Sequence, residues 1–277
     1  DCSQSRGLGD VYKRQPVGGV AFIRVAQANN PNLDPEESDN LNVGFIWSPN
    51  DNFNLKLDYW AIDYTDLITI ESAQGKVIAN PLDPDVKRTI DGTLTGVTTS
   101  YFNASAVDTN GFDLEMTYDF DTGLGSAQLG LKAMHMLQYE IPLQTGEVKD
   151  VVGLFNHDNF ARSLPETKMV LHGALQNGNH SLVAFGRWVS DYETTRPLDA
   201  IAQSRGFTND VDSFFTVDLK YSYNFDMNDN DLLLTLGMTN AFDEEVPLVY
   251  DASNWSYDPK HHDPCLLYTS PSPRDWL

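Results

Sequence analysis

The chain has 277 residues, and its 40 acidic against 18 basic side chains give a formal net charge of −22. No stretch reaches about 18 consecutive apolar residues, which excludes a bundle of membrane helices. An acidic chain whose Lys and Arg residues are spread singly repels phosphate backbones, so nucleic acid is excluded as a partner. The two cysteines, Cys2 and Cys265, permit at most one disulfide and no cysteine-rich metal framework.

The two ends of the chain are related through their possible codons. One set of codons for residues 5–15 (SRGLGDVYKRQ), read as the reverse complement with a shift of one base, encodes residues 265–275 (CLLYTSPSPRD). This DNA resembles the transposon-end adapter used in sequencing libraries. We therefore expect residues 1–15 and 265–277 to be non-native segments that flank a native part, residues 16–264. We expect residues 1–15 to be disordered or loosely attached, and residues 265–270 to pair with the edge of the last strand.

Apolar and polar residues alternate in segment after segment, with the period of two that is typical of strands with one apolar face. In residues 37–49, for example, Leu41, Val43, Phe45 and Trp47 alternate with polar residues and glycine, with Ile46 as the exception. The predicted strands that follow cover residues 54–61, 111–120, 127–134, 168–176, 180–190, 214–225 and 232–240. The sequence therefore predicts eight strands arranged in four hairpins.

The connections between these strands alternate between short and long. Those within hairpins are short, and Asn177 and Gly178 favour a tight turn. Those between hairpins, roughly residues 71–106, 142–166 and 191–212, reach twenty residues or more. Short turns on one rim and long loops on the other are typical of a transmembrane β-barrel, whose long loops lie outside the cell.

Aromatic residues near the short turns favour the same interpretation, because amphipathic rings settle at a membrane interface. This predicted aromatic girdle consists of Trp47, Phe53, Tyr118, Phe120, Tyr223 and Phe225. A soluble β-sandwich or lipocalin-like barrel alternates equally well but sends its apolar face inward, and it stays open as an alternative at this point.

The faces of the predicted sheet can be assigned from the alternation. An outer, convex face is expected to carry Leu41, Phe45, Leu114, Met116, Leu129, Leu219 and Leu234. The concave face is expected to carry Asp113, Glu115, Lys132, Asp218 and Lys220, because a lone charge facing lipid is costly.

Five segments in order resemble the C-terminal barrel of TonB-dependent outer-membrane receptors. They are NPNLDPEESDNLNVGFIWSP (30–49), YWAIDYTDLITI (59–70), NGFDLEMTYDF (110–120), NFARSLPETK (159–168) and LTLGMTNAFDEEVP (234–247). The resemblance implies an all-β, antiparallel transmembrane β-barrel fragment. Its eight strands would form part of a barrel of about 22 strands in the outer membrane of a Gram-negative bacterium.

The same resemblance implies a receptor for TonB-energised uptake of a scarce nutrient, of the iron-chelate, cobalamin or carbohydrate class. Its implied partners are outer-membrane lipid, a plug domain, TonB and a small-molecule nutrient, and the contacts with the plug and with TonB would lie in a missing N-terminal part. The alternatives are a passive porin-like barrel and a soluble carbohydrate-binding or hydrolytic β-protein.

No catalytic, metal or cofactor site is predicted, and the ligand-binding residues are not identified by the sequence. Asp113 and Glu115 have the spacing of a glycosidase pair, but Lys132 on the next strand is a plausible charge partner, which favours lining of the lumen. His261 and His262 lie in a predicted external loop and are the candidates for contact with a metal chelate. Adjacent side chains in an extended chain point apart, so two histidines do not make a metal site. The sequence therefore favours a protein that is not an enzyme.

Overall fold

The structure, a computed structural model, describes residues 11–14, 20–142, 147–156, 159–227, 230–250 and 257–262. Strands dominate these residues, and the helices among them are α1 (Ala73–Ala79) and α2 (Ala200–Ser204). In the described part of the chain, neither helix has the length and apolar character needed to cross a membrane.

Eight long strands form one continuous antiparallel sheet. They are β1 (Glu37–Asn50), β2 (Phe53–Ile70), β3 (Leu94–Thr122), β4 (Gly125–Pro142), β5 (Thr167–Asn177), β6 (His180–Val189), β7 (Phe214–Met227) and β8 (Asn230–Met238). Each strand pairs with the next one in the chain, from β1 to β8. Within the described residues β1 and β8 do not pair with each other, so the sheet is open. The eight predicted strands and four hairpins are confirmed.

The connections alternate as the sequence predicts. Two residues separate the strands of the first three hairpins, at 51–52, 123–124 and 178–179. Gly178 has φ +53°, a left-handed conformation that glycine adopts without a steric penalty. The long connections cover residues 71–93, 143–166 and 190–213 and lie on the opposite rim.

The register divides the sheet into an apolar and a polar face. Phe45, Leu57 and Leu114 lie side by side in one row, and the seven residues predicted for the outer face all share this face. Their side chains stay half-exposed or exposed, and none of them belongs to a buried core. An apolar face with nothing of the protein packed against it is what a lipid-facing surface requires.

The rings of the predicted aromatic girdle contact each other both between neighbouring strands and within single strands. The Phe53 ring lies 5.6 Å from Trp47 and 6.3 Å from Tyr118, measured between centroids. Tyr118 stacks on Phe120 at 5.2 Å, and Tyr223 meets Phe225 edge-on at 4.5 Å. Such pairs stabilise the rim beyond the area that they bury.

Gly111, inside β3, permits a close approach of the β3 and β4 backbones. Here β4 carries one extra residue, Leu137, because Asn110 pairs with Gln138 and Gly111 with Met136. A Cβ atom on Gly111 would lie 2.5 Å from the carbonyl oxygen of His135 and 2.7 Å from the Trp60 ring. Only glycine therefore fits at position 111.

Gly111→Ala is expected to lower the free energy of unfolding by about 1–3 kcal/mol, because backbone must move to admit the methyl group. Urea titration of the chain folded in lipid vesicles measures this value. The matched control is Gly237→Ala on β8, since a Cβ there has no atom within 4 Å. Equal stabilities of the two variants would contradict the close approach at Gly111.

The buried core lies in the long-loop half of the molecule rather than within the regular sheet. One cluster joins α1 to the short strands Val20–Ala28 and Val86–Arg88 and to the first part of β3; it consists of Ile23, Ala73, Val77, Val86, Leu94 and Val97. A second cluster packs under the connection between β4 and β5 and consists of Ala104, Val107, Ile141, Val151 and Ala161. The predicted loop of residues 71–106 is therefore largely folded.

The N-terminal end contains a pairing that the sequence did not predict. Val11–Arg14 is a strand that pairs antiparallel with residues 20–23, whereas residues 1–10 and 15 lie outside the described residues. Backbone groups of Val20–Ala28 offer an unpaired edge that the preceding segment can occupy. The pairing predicted for residues 265–270 lies outside the described residues.

Candidate functional site on the polar face and the long-loop rim

The charged residues predicted for the concave face share one face of the sheet. The register places Glu115 of β3 opposite Lys132 of β4, and Asp113 lies on the same face two residues before Glu115. The pairings of β5 and β6 continue this face to Asp218 and Lys220 on β7. This face is opposite to the apolar one, as predicted. Shallow hollows open on it, one of about 340 Å³ bounded in part by Asp58, Glu115, Lys132 and Lys168.

Glu115 connects three strands through ion pairs. Its carboxylate lies 3.1 Å from Lys132 Nζ and 3.6 Å from Lys56 Nζ. The charge partner predicted for Glu115 is therefore confirmed. These side chains are 38% to 72% exposed, and exposed pairs contribute only about 0–1 kcal/mol each. These ion pairs therefore give the sheet a polar, solvated face and add little to the free energy of unfolding.

Asp218 of β7 contacts both a neighbouring strand and the chain that leaves β8. Arg187 of β6 pairs with Asp218 of β7, and the other oxygen of Asp218 accepts the backbone N–H of Asn240 at 3.0 Å. The Asn240 side chain accepts the N–H of Glu244 and donates to its carbonyl oxygen, each at 3.0 Å. The asparagine of the segment 234–247 therefore closes a turn and has a structural role.

The two later long loops are joined by a small sheet at the rim. Its strands lie in the order Ser163–Leu164, Leu154–Phe155, Tyr192–Thr194 and Asp210–Val211. A short strand, Val148–Asp150, also pairs with the end of β4. The loops at this rim are thus held by backbone hydrogen bonds as well as by apolar packing.

Residues 257–262, defined here as the clasp segment, lie against this small sheet. The buried carboxylate of Asp258 accepts the Tyr192 hydroxyl at 2.9 Å and the Ser163 hydroxyl. Asp258 also accepts the backbone N–H of Lys260 at 3.0 Å. Burial, followed by the charge of Asp258, raises the pKa of Tyr192 well above its usual range, so this hydroxyl remains a donor.

His262 is enclosed at the end of the clasp segment. Its side chain is fully buried, stacked on Tyr192 at 5.9 Å and edge-on to Phe214 at 5.2 Å between ring centroids. In the part of the chain that the structure describes, neither ring nitrogen has a hydrogen-bond partner. Burial lowers the pKa of His262 from 6.5 to about 4, although the charge of Asp258 acts in the opposite direction.

The structure places the rings of both histidines against protein. His262 is buried, and His261 Nε2 lies 3.1 Å from the carbonyl oxygen of Ser163, so both rings face protein. Among the described residues, no group of three or more His, Cys, Asp or Glu side chains is arranged to hold a metal ion. Contact with a metal chelate through this pair is therefore not supported by the geometry.

Sequence reasoning missed Asp258, Tyr192 and Ser163. Asp258 lies 66 residues from Tyr192 and 95 residues from Ser163 in the chain. No local period or motif connects such distant positions. The only sequence signal was the resemblance of residues 159–168 to a family segment, which contains Ser163.

A profile of the family described as "TonB dependent receptor-like, beta-barrel" matches residues 7–241. The chain belongs to this family. The family consists of transport receptors of the Gram-negative outer membrane, and it is not an enzyme family. In transmembrane β-barrels of this kind the apolar face meets lipid, the short turns face the periplasm and the long loops face outward.

Solved structures of receptors share the fold. A mutant of the ferric enterobactin receptor PfeA from Pseudomonas aeruginosa, in complex with enterobactin, aligns with a TM-score of 0.54 and 19% identity, over 83% of this chain and 29% of that receptor. The siderophore receptor PirA from Acinetobacter baumannii aligns with a TM-score of 0.54 and 16% identity, over 90% of this chain and 33% of that receptor. The chain thus spans about a third of the length of these receptors. No curated protein matches the sequence.

Proposed function

We propose that this chain is part of an outer-membrane receptor that takes up an iron chelate with energy supplied through TonB. The observation that carries the proposal is the family match over residues 7–241. Two receptors of the same fold support the substrate class, because one is a ferric enterobactin receptor and the other is a siderophore receptor.

The two faces of the sheet support distinct partners for this receptor. The apolar rows that include Phe45, Leu57 and Leu114 fit outer-membrane lipid. The polar face, with Glu115 between Lys56 and Lys132, fits a hydrated lumen that receives a plug domain. The nutrient would enter from the long-loop rim, and TonB would act from the periplasmic side.

Uptake of radioactive iron tests the proposal with the complete reading frame that contains this chain. The frame is expressed in a Gram-negative strain without its own ferric-siderophore receptors, in isogenic backgrounds with and without TonB. We expect accumulation of iron from at least one catecholate or hydroxamate chelate only when TonB is present. Recovery of the frame also tests whether residues 1–15 and 265–277 are native.

Two results would overturn the proposal. Solute entry that is equal with and without TonB would identify a passive pore. TonB-dependent uptake of cobalamin or a carbohydrate, with no iron chelate transported, would retain the energy source and overturn the substrate class. A strain that carries the empty expression vector is the control for both.

A further inference from the structure

The connection from β8 to the rim ends in the clasp segment, which contacts elements from two other long loops. Lys260 Nζ donates to the carbonyl oxygen of Ser163 at 3.2 Å, on the loop between β4 and β5. Asp258 accepts the hydroxyl of Tyr192, on the loop between β6 and β7. One short segment therefore contacts two other long loops at the small sheet that joins them.

The second of the two histidines in this segment, His262, is packed in a way that suits only its neutral form. His262 lies between the rings of Tyr192 and Phe214, with both ring nitrogens unpaired within the described residues. A neutral imidazole tolerates such an apolar site better than an imidazolium, which carries a full charge and two N–H donors.

We propose that residues 257–262 form a proton-operated clasp, which stays docked on the small sheet of the outward rim while His262 is neutral and detaches from it when His262 takes up a proton. Release exposes the imidazolium to water and removes the contacts of the segment with Tyr192 and Ser163, while the small sheet continues to join the two loops. This inference concerns the loops of this chain and does not depend on the proposed substrate.

Three elements pack on His262, and they contribute the charged or titratable groups that follow. The clasp segment contributes Asp258 and His261, and the strand Tyr192–Thr194 contributes the Tyr192 hydroxyl. Phe214, at the start of β7, is uncharged. The charges of Lys168 and Lys260 act on His261, whereas the charged groups that act on His262 are Asp258 and His261. Asp258 is the group that favours the imidazolium, but it is already occupied by two hydroxyl donors and a backbone N–H.

The direction of the pH dependence follows from linkage. The pKa of His262 is about 4 in the docked clasp, against the ordinary 6.5 when the clasp is released. Docking is therefore fully stable above pH 6.5, and the equilibrium shifts toward release by about tenfold per pH unit as the pH falls from 6.5 to 4. The total shift over this window is about 300-fold, and it levels off below pH 4.

Hydrogen exchange of the whole chain in lipid vesicles, corrected for intrinsic rates, tests the clasp. We expect protection of residues 257–262 to fall about tenfold per pH unit between pH 6.5 and 4, while protection of strands β3 and β4 stays constant. His262→Phe keeps a ring between Tyr192 and Phe214 and removes the titration, so its protection should vary much less with pH. His180→Phe is the matched control, because His180 is exposed at the opposite rim, and it should behave as the unmodified chain does.

Three results would overturn the proposal. Protection of residues 257–262 that is independent of pH would show that no proton operates the clasp. The same pH dependence in His262→Phe would assign the proton to another group. Loss of protection in β3 and β4 together with the clasp would mean global unfolding.

A direct titration keeps the proposal testable if His262→Phe does not fold. In the unmodified chain with labelled histidine, nuclear magnetic resonance measures the pKa of each imidazole. Burial lowers the pKa of His261 as well, so the ring signals must be assigned. We expect the assigned signals of His262 to titrate well below 6.5 and to change at the pH of clasp release. Ordinary pKa values for all six histidines would overturn the proposal.

Discussion

Leu57→Arg should destabilise the chain in a bilayer, lowering its free energy of unfolding by about 2–4 kcal/mol. This is the cost of an arginine on the lipid face near the midplane. Leu57 lies between Phe45 of β1 and Leu114 of β3 on the apolar face, several residues from the aromatic rim at Phe53. A guanidinium at this position has no protein partner on its face and must lose much of its hydration. Urea titration of the chain in lipid vesicles, followed by tryptophan fluorescence, measures the difference.

The control for this substitution lies one residue away on the same strand. Lys56→Arg also places a guanidinium on β2, but on the polar face, where Glu115 is within reach. Its folding free energy should stay within about 0.5 kcal/mol of that of the unmodified chain. A similar, small effect at both positions would contradict the assignment of the two faces.

Asp258→Ala should detach the clasp segment while the strands remain folded. The substitution leaves the Tyr192 and Ser163 hydroxyls without their acceptor, and each unsatisfied buried group costs about 1–3 kcal/mol. It also removes the acceptor of the Lys260 N–H. We expect protection against hydrogen exchange to be lost in residues 257–262 and retained in β3 and β4.

Asp210→Ala is the matched control for the loss of an aspartate at the rim. Asp210 belongs to the same small sheet, but its side chain is exposed. Protection of the clasp segment should be unchanged in this variant. If Asp258→Ala retained full protection as well, the buried hydrogen bonds of Asp258 would not hold the clasp.

The strands and their facing were predictable because alternation is a local property of the sequence. Residues 111–120 show the period of two without interruption, and this segment lies within β3, with Leu114 and Glu115 on opposite faces. The partner of Glu115 was predictable for a related reason: β3 and β4 are joined by a short turn, which fixes the register that brings Lys132 opposite to it.

The folded loops were not predictable by the same reasoning. Residues 71–106 show no sustained alternation, yet they contain α1 and the first part of β3. The Ser72 hydroxyl caps the N-terminus of α1. The Lys76 ammonium, 2.8 Å from both Glu71 and Asp85, adds a local network there. Burial opposes its charge, but these two carboxylates raise the pKa of Lys76 overall, so the network stays charged at neutral pH.

By itself, the sequence determined the number of long strands, their order, which face is apolar and the family to which the chain belongs. These features depend on residues that are close in the chain, or on segments that keep a recognisable pattern. Only the tertiary structure decided where the core lies and that His262 is buried against Tyr192 and Phe214. The regular strands present their apolar side chains on the outer face, and the buried core forms from the long loops together with the ends of the strands that adjoin them. The contacts of that core join residues far apart in the chain, and no local pattern specifies them.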